Sequence, residues 1–249
     1  MIQILKDGRS DDRDQDGFRI TKITRGFSLN RPSSIFIEKG RTRILCNSTI
    51  DDKIPEWNKS SGWLTAEYGM LPTCANNRIK RSEHLKSGRT KEIQRLIGRT
   101  LRSALDFELL GLRNILIDCD VLDADGGTRV AAINGGFLAL ALSMLELRDH
   151  NLLEKSPIKH QVAAVSIAVK DGMLIPDPDY LEDLNAGVDM NIVMLSDGTY
   201  AEVQSSSEKE HLTREELNQA LDLAQIGIDK IFAQQREFLK EDLDWILNR

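Results

Sequence analysis

Cysteine is scarce: Cys46, Cys74 and Cys119 are three among 249 residues, an odd number with no CxxC spacing. That excludes a disulfide framework and a zinc ribbon, and reduced thiols in a cytoplasmic protein are expected. An excess of basic charge is missing as well. Lys plus Arg number 33 against 39 Asp plus Glu, a net charge of −6, so nucleic acid is not captured by the surface as a whole and any such site must be a local patch. Long apolar runs are limited to residues 130–145, interrupted by Asn134, Gly135 and Gly136 and shorter than the roughly 20 residues that cross a bilayer. A buried helix, with no membrane association, is the expectation there. The opening segment MIQILKDGRSDDRDQDGF carries too much charge for a secretory signal.

What is present suffices for a packed core: 41% of residues are hydrophobic and 29% charged. Residues 1–17 lack apolar periodicity and read as a flexible N-terminal arm, with the ordered unit running from 18 to 249. SIFIE and TRILCNSTI flank Lys39-Gly40 as a hairpin would. Ile93, Leu96, Ile97, Leu101, Ala104 and Leu105 recur at helical spacing, which predicts one helix from Ser87 to Leu110 with Gly111 as its stop. Residues 114–121 form an Ile-rich strand that runs through DADGGTR into the apolar helix. Asp171-Gly172 and Asp197-Gly198 mark two further hairpins, and Thr213 with Glu216 makes a capping box for a last long helix. Strands grouped apart from helices indicate α+β.

Three clusters could carry chemistry. Asp125-Gly126-Gly127-Thr128-Arg129 lies where a strand meets a helix N-terminus. Glycines let backbone amides turn outward, the helix dipole favours an anion, and Thr128 and Arg129 add a hydroxyl and a forked cation, so phosphate is the natural ligand. A plain tight turn with a solvated arginine uses the same residues, and spacing alone leaves both open. Residues 78–102 form a basic island in an acidic chain, holding Arg78, Arg81, Arg89, Arg95, Arg99 and Arg102. Arg95, Arg99 and Arg102 share one helical face, and cations at a helix start run against the dipole unless an anion binds there. Asp177, Asp179, Glu182, Asp183 and Asp189 form an oxygen-only cluster suited to Mg²⁺ or Mn²⁺, or a solvated acidic turn. His84, His150, His160 and His211 have no metal or triad spacing and are assigned no chemistry. Trp57 and Trp63 could stack on bases, although packing is the commoner fate of such residues.

Taken in order, GWLTAEYGMLP (62–72), SGRTKEIQRLIGRTLR (87–102), DADGGTR (123–129) and DPDYLEDLNAGVDMNIVM (177–194) resemble the bacterial ribonuclease PH family. The resemblance covers nearly the whole chain, from about residue 7 to 239. It implies a single-domain α+β sandwich of the ribosomal protein S5 domain 2-like fold. The implied activity is that of a phosphate-dependent 3′ to 5′ exoribonuclease and tRNA nucleotidyltransferase. Such an enzyme trims tRNA precursors and other RNA with inorganic phosphate and releases nucleoside diphosphates. By the same resemblance Arg89, Gly127, Thr128 and Arg129 bind phosphate. Asp177 and Asp183 are catalytic and hold Mg²⁺ or Mn²⁺ or move protons, and Arg78, Arg81, Arg95 and Arg99 are the candidate RNA contacts. The partners implied are RNA and further copies of the chain, in a homohexameric ring built as a trimer of dimers.

Departures from the family pattern lie at residues 73–82, in a loop that is shortened before Ser87, at Leu184 and at Gln204-Ser205-Ser206. They bear on substrate preference and ring contacts. The rival reading is a catalytically silent, RNA-binding ring subunit of an exosome-like assembly. A small-molecule phosphotransferase would need a Gly-rich loop ending in Lys, and none is present.

Overall fold

A computed structural model describes residues 9, 11, 13–14, 16–51, 53, 58, 61–207 and 209–248. Trp57 lies outside the described residues, and its stacking role with it.

In chain order the elements are β1 (Thr21–Arg25), β2 (Ile35–Lys39), β3 (Thr42–Asp51), β4 (Trp63–Met70), α1 (Arg81–His84), α2 (Gly88–Ser103), α3 (Phe107–Leu110), β5 (Asn114–Asp123) and α4 (Thr128–Asp149). These are followed by β6 (Val162–Lys170), β7 (Met173–Pro176), α5 (Tyr180–Asn185), β8 (Val188–Leu195), β9 (Tyr200–Ser207), α6 (Arg214–Leu239) and, after a 3₁₀ turn, α7 (Leu243–Ile246). They build two sheets, β1-β2-β3-β5-β4 and β7-β6-β8-β9. Only the β4–β5 pairing is parallel among the described strands, with α1, α2 and α3 forming the crossover.

Strand periodicity decides what faces inward. In β5 the alternation buries Ile115, Ile117, Cys119 and Val121 and turns Asp118 and Asp120 outward. In β2 the same alternation buries Ile35, Ile37 and then Lys39, so a cation occupies a core-facing slot. β6 is buried at eight of its nine positions because α4 covers one face and α6 the other.

Helix α4 lies between the sheets, contacting β2, β3 and β5 of one and β6 of the other. It is long and apolar enough to cross a membrane by length and composition, yet 94% of its apolar window is buried inside the protein. Its glycines permit the packing. A Cβ at Gly135 would stand 2.7 Å from the Cys46 Sγ, and one at Gly136 would stand 3.2 Å from Ile117. Two of its polar interior residues are satisfied: Asn134 donates to the Ala164 carbonyl at 2.9 Å and accepts from the Ala164 amide at 2.8 Å, and Ser143 bonds Ser48 at 2.8 Å.

Three expectations change. The single helix over 87–110 is two: α2 ends at Ser103, and Asp106 caps the short α3 by accepting from the Glu108 and Leu109 amides. The strand after Asn114 extends to Asp123, and the apolar helix begins at Thr128. The arm over 1–17 is anchored where it is described. Arg9 is buried and donates to Glu182 at 2.6 and 2.9 Å and to the Pro176 carbonyl at 2.8 Å, because a guanidinium taken out of water must fill its donors. The hairpins at Gly40, Asp171-Gly172 and Asp197-Gly198 form, each glycine at positive φ, and the Thr213–Glu216 capping box is present.

Gly135→Val should destabilise the protein by about 1–3 kcal/mol, since the added methyls meet a close-packed sheet. Denaturant unfolding checks this, and an unchanged midpoint would mean that α4 can move off β3.

Candidate active site

The strand-to-helix turn after β5 is built for an anion. Gly126 and Gly127 both adopt positive φ, +74° and +66°, which lets Gly127 serve as the N-cap of α4 without any side-chain cap. No acidic residue stands in the first turn of this 22-residue helix. Its leading amides and the positive end of its dipole are therefore not neutralised by the helix's own side chains. Thr128 and Arg129, both half-buried, follow directly.

One rim of the turn comes from β4 and the crossover. The Tyr68 hydroxyl donates to Thr128 Oγ1 at 2.9 Å, leaving the threonine proton for a ligand oxygen. Burial pushes the Tyr68 phenol up to about 12, so it stays a neutral donor. The His84 ring lies 6.2 Å from that of Tyr68, and its nitrogens are 3.2 and 3.4 Å from Thr90 Oγ1. Burial, and then the Arg89 charge, hold the imidazole below its ordinary value. Arg89 itself is exposed on the first turn of α2, where Ser87 caps the Thr90 amide. On the other side an Arg129 Nη is 3.7 Å from Asp189, which also accepts from Ser166 and Asn191, each at 3.3 Å.

Beneath the turn lies a buried charge cluster. The Asp177 carboxylate is fully enclosed, on a residue at φ +50°. One oxygen accepts from Arg19 Nη2 at 2.6 Å and faces Lys39 Nζ at 3.0 Å. The other accepts from the Arg19 amide at 2.8 Å and Nε at 3.1 Å. Burial alone would raise this carboxyl; Lys39 and Arg19 outweigh it and hold it well below the usual carboxylate range. Asp183 sits half-buried on α5, whose N-terminal residue pair Pro178-Asp179 lies against Gly126.

Models of the 3′ exoribonuclease family match the chain twice, domain 1 over residues 17–146 and domain 2 over 160–227. The chain belongs to this 3′ exoribonuclease family. It is 44% identical to Ribonuclease PH of Syntrophomonas wolfei over 93% of this chain and 98% of that one. Against Ribonuclease PH of Bdellovibrio bacteriovorus it is 43% identical over 94% and 97%. Membership makes it a phosphate-dependent 3′ exoribonuclease and nucleotidyltransferase. Solved structures share the fold at 18% identity. Rice (Oryza sativa) Rrp46 matches with a TM-score of 0.73 over 93% of this chain and all of that one. The Archaeoglobus fulgidus exosome with RNA bound to the active site matches with 0.79 over 91% and 92%.

Of the residues expected at an exoribonuclease site, the fold brings Gly127, Thr128 and Arg129 together at the head of α4 and sets Arg89 close enough to act on Tyr68 and His84. The expectation that Asp177 and Asp183 share a metal does not fit, because both Asp177 oxygens are taken by cations inside the protein. Among the described residues no group of three His, Cys, Asp or Glu side chains is placed to hold one. Arg78, Arg81 and Arg95 are exposed, whereas Arg99 is bound in a fork to Glu202 of β9 at 2.7 and 2.9 Å. Arg102 turns back to the Leu64 carbonyl and stacks on Trp63, which packs on Phe107. A cavity of about 390 Å³ on the outer sheet face is lined by Glu67, Asp118 and Asp120, and its acidity suits it poorly to RNA phosphates. Sequence reasoning missed Arg19, Lys39, Tyr68 and His84. Only Lys39 left a trace, as a charge on the inward phase of β2.

Two outcomes follow for the family site. By NMR titration His84 should have a pKa below the ordinary imidazole value, rising when inorganic phosphate settles beside Arg89; a curve unmoved by saturating phosphate would count against that placement. Asp177→Asn should cost about 3–5 kcal/mol of stability near neutral pH, as breaking a buried pair does. The lowered Asp177 pKa contributes stability above the usual carboxylate range and loses it as pH falls through and below that range, so the gap to wild type should narrow in acid. A gap that does not narrow there would show that the Asp177 charge is not what the pair contributes.

Proposed function

We propose that this exoribonuclease binds inorganic phosphate at the head of α4 and drives it in line against the last phosphodiester of an RNA 3′ end. The observation that carries this is the N-terminus of α4 without a side-chain cap, with two successive left-handed glycines, Thr128 and Arg129 at its head and Arg89 beside Tyr68, which bonds Thr128. An oxygen of phosphate forms the new P–O bond, the bond to the 3′ oxygen of the preceding nucleotide breaks, and that oxygen leaves with a proton. The products are a nucleoside 5′-diphosphate and an RNA shorter by one residue. Two phosphate groups must approach one another, and the arginines with the helix amides offset that repulsion and the charge of the transition state. Asp183 is the carboxylate assigned to proton transfer. A divalent ion, Mg²⁺ or Mn²⁺, would supply further charge at the phosphates, but the Asp177–Asp183 pair is not its cradle in this arrangement.

Arg78, Arg81 and Arg95 are exposed, whereas Arg99 is engaged by Glu202 and Arg102 by the Leu64 carbonyl and the Trp63 ring, which supports the first three as guides for the RNA backbone. The substrate class is tRNA precursors and other RNA with single-stranded 3′ tails. The fold likeness to exosome structures supports assembly into a ring, which the ribonuclease PH resemblance makes a homohexamer arranged as a trimer of dimers; three buried, unpaired thiols agree with a reducing compartment such as the cytoplasm. The silent-subunit reading is disfavoured, because a purely structural subunit has no use for an arginine-flanked anion site.

Purified protein with Mg²⁺ should release nucleoside diphosphates from a 3′-tailed RNA only when inorganic phosphate is present. Arg129→Ala should reduce kcat/KM for phosphate by about 10- to 100-fold, the loss expected from removing one charged hydrogen-bond donor. Release of monophosphates without phosphate, or an indifferent Arg129 variant, would refute the assignment.

A further inference from the structure

We propose that Asp177 and Arg19 are positioning residues: through Arg19, and together with Thr42, Asp177 holds the backbone of the anion turn in its receiving conformation, and it is not a metal ligand. The inference rests on the phosphorolytic reading above and assigns the buried cluster a task within it.

The geometry is continuous from carboxylate to turn. Both Asp177 oxygens face Arg19, and no surface of Asp177 reaches solvent. Fixed in this way, the Arg19 guanidinium donates upward to the Asp125 carbonyl at 2.5 Å and the Gly126 carbonyl at 3.4 Å. Thr42 closes the same turn from its other end. Its Oγ1 donates to the Gly126 carbonyl at 2.7 Å and accepts from the Asp125 amide at 2.9 Å. In a trans peptide the N–H points opposite to the carbonyl of the preceding residue. Carbonyls of Asp125 and Gly126 drawn toward Arg19 and Thr42 therefore turn the Gly126 and Gly127 amides away from the buried cluster, as donors for an anion. Both positions favour glycine by their positive φ, and Gly126 has no room for a side chain. A Cβ at Gly127 would stand 3.0 Å from Arg19 Nη2, and one at Gly126 would stand 2.5 Å from the Pro178 carbonyl.

The Asp177 carboxylate thereby accepts three hydrogen bonds from Arg19 and faces the Lys39 ammonium at 3.0 Å, cations where a metal would have to stand. Four cations, Arg9, Arg13, Arg19 and Lys39, surround Asp177 and Glu182 on the buried side of the turn. A divalent ion entering there would meet this charge before it met the carboxylate.

The test uses the full chain, as wild type, Thr42→Val and Asp177→Asn. Affinity for inorganic phosphate is measured by calorimetry without RNA, and phosphate KM, kcat and the Mg²⁺ midpoint are measured in phosphorolysis. Thr42→Val should weaken phosphate roughly fivefold and Asp177→Asn tenfold or more, the ranges expected for losing a neutral and a charge-assisted hydrogen bond in series. The Mg²⁺ midpoint should stay within about twofold in both, a division that a merely structural defect would not produce. A raised Mg²⁺ requirement in Asp177→Asn with unchanged phosphate affinity would overturn the proposal and restore the carboxylate as a ligand. Unchanged phosphate affinity in Thr42→Val would overturn it too, and that variant decides the matter if Asp177→Asn does not fold. Absence of phosphorolysis by wild type alongside weakened phosphate binding in the variants would refute the reaction and leave the positioning role standing.

Discussion

A carboxylate removed entirely from water has to be matched by cations, and the arrangement around Asp177 follows from that requirement. Arg19 precedes β1, Lys39 ends β2, Asp177 follows β7 and the anion turn follows β5, so four separate stretches of chain and both sheets meet at one group. An unpaired charge at such a depth costs far more than any one apolar contact returns. The edges of the two sheets are therefore tied at the end of the sandwich where α4 begins. The described N-terminal residues join the same tie, Arg9 and Arg13 reaching Glu182.

The second organising element is α4 itself. Because it is packed between the two sheets, its axis cannot tilt without disturbing the large core it shares with β3, β5 and β6, and the amides at its head inherit that rigidity. Asn134, bonded through both of its side-chain atoms to Ala164, fixes the helix in register against β6. The proposed anion site is thus a rigid helix terminus set on a buried charge cluster, with the exposed Arg89 standing near it on α2. Division of labour of this kind places backbone donors where precision matters and long arginines where substrate has to be gathered.

Much of this was legible from local pattern. The Asp-Gly hairpins, the Thr213–Glu216 box and the apolar helix are encoded within a few residues of where they act, and the Gly-Gly-Thr-Arg turn carries its chemistry on its face. The split between α2 and α3 was legible as well, since Asp106 before FELL is an N-cap signal, but the continuing apolar period hid it. The charge cluster was not legible. Asp177 reads as one of five acids within thirteen residues, and nothing near it in sequence names Arg19 or Lys39 as partners, because their pairing is a product of tertiary packing. Tyr68 and His84 were hidden for the same reason: they reach the turn across β4 and α1, with no spacing that links them to Thr128.

The hydrogen bond from Arg19 to Asp177 joins residues 158 positions apart, and that separation has a consequence for how the molecule comes into being. While the chain is synthesised, every residue of the first sheet and of α4 is made before residue 177 exists. Until it arrives, Arg19 and Lys39 have no counter-ion and must remain hydrated, which keeps the end of the nascent sandwich open. Pairings so distant in sequence raise the contact order, and the turn held by Arg19 cannot take its final form before residue 177 is in place. Partly folded chains would then have a built core and no working site, and the emergence of activity would report the final closure of the two sheets.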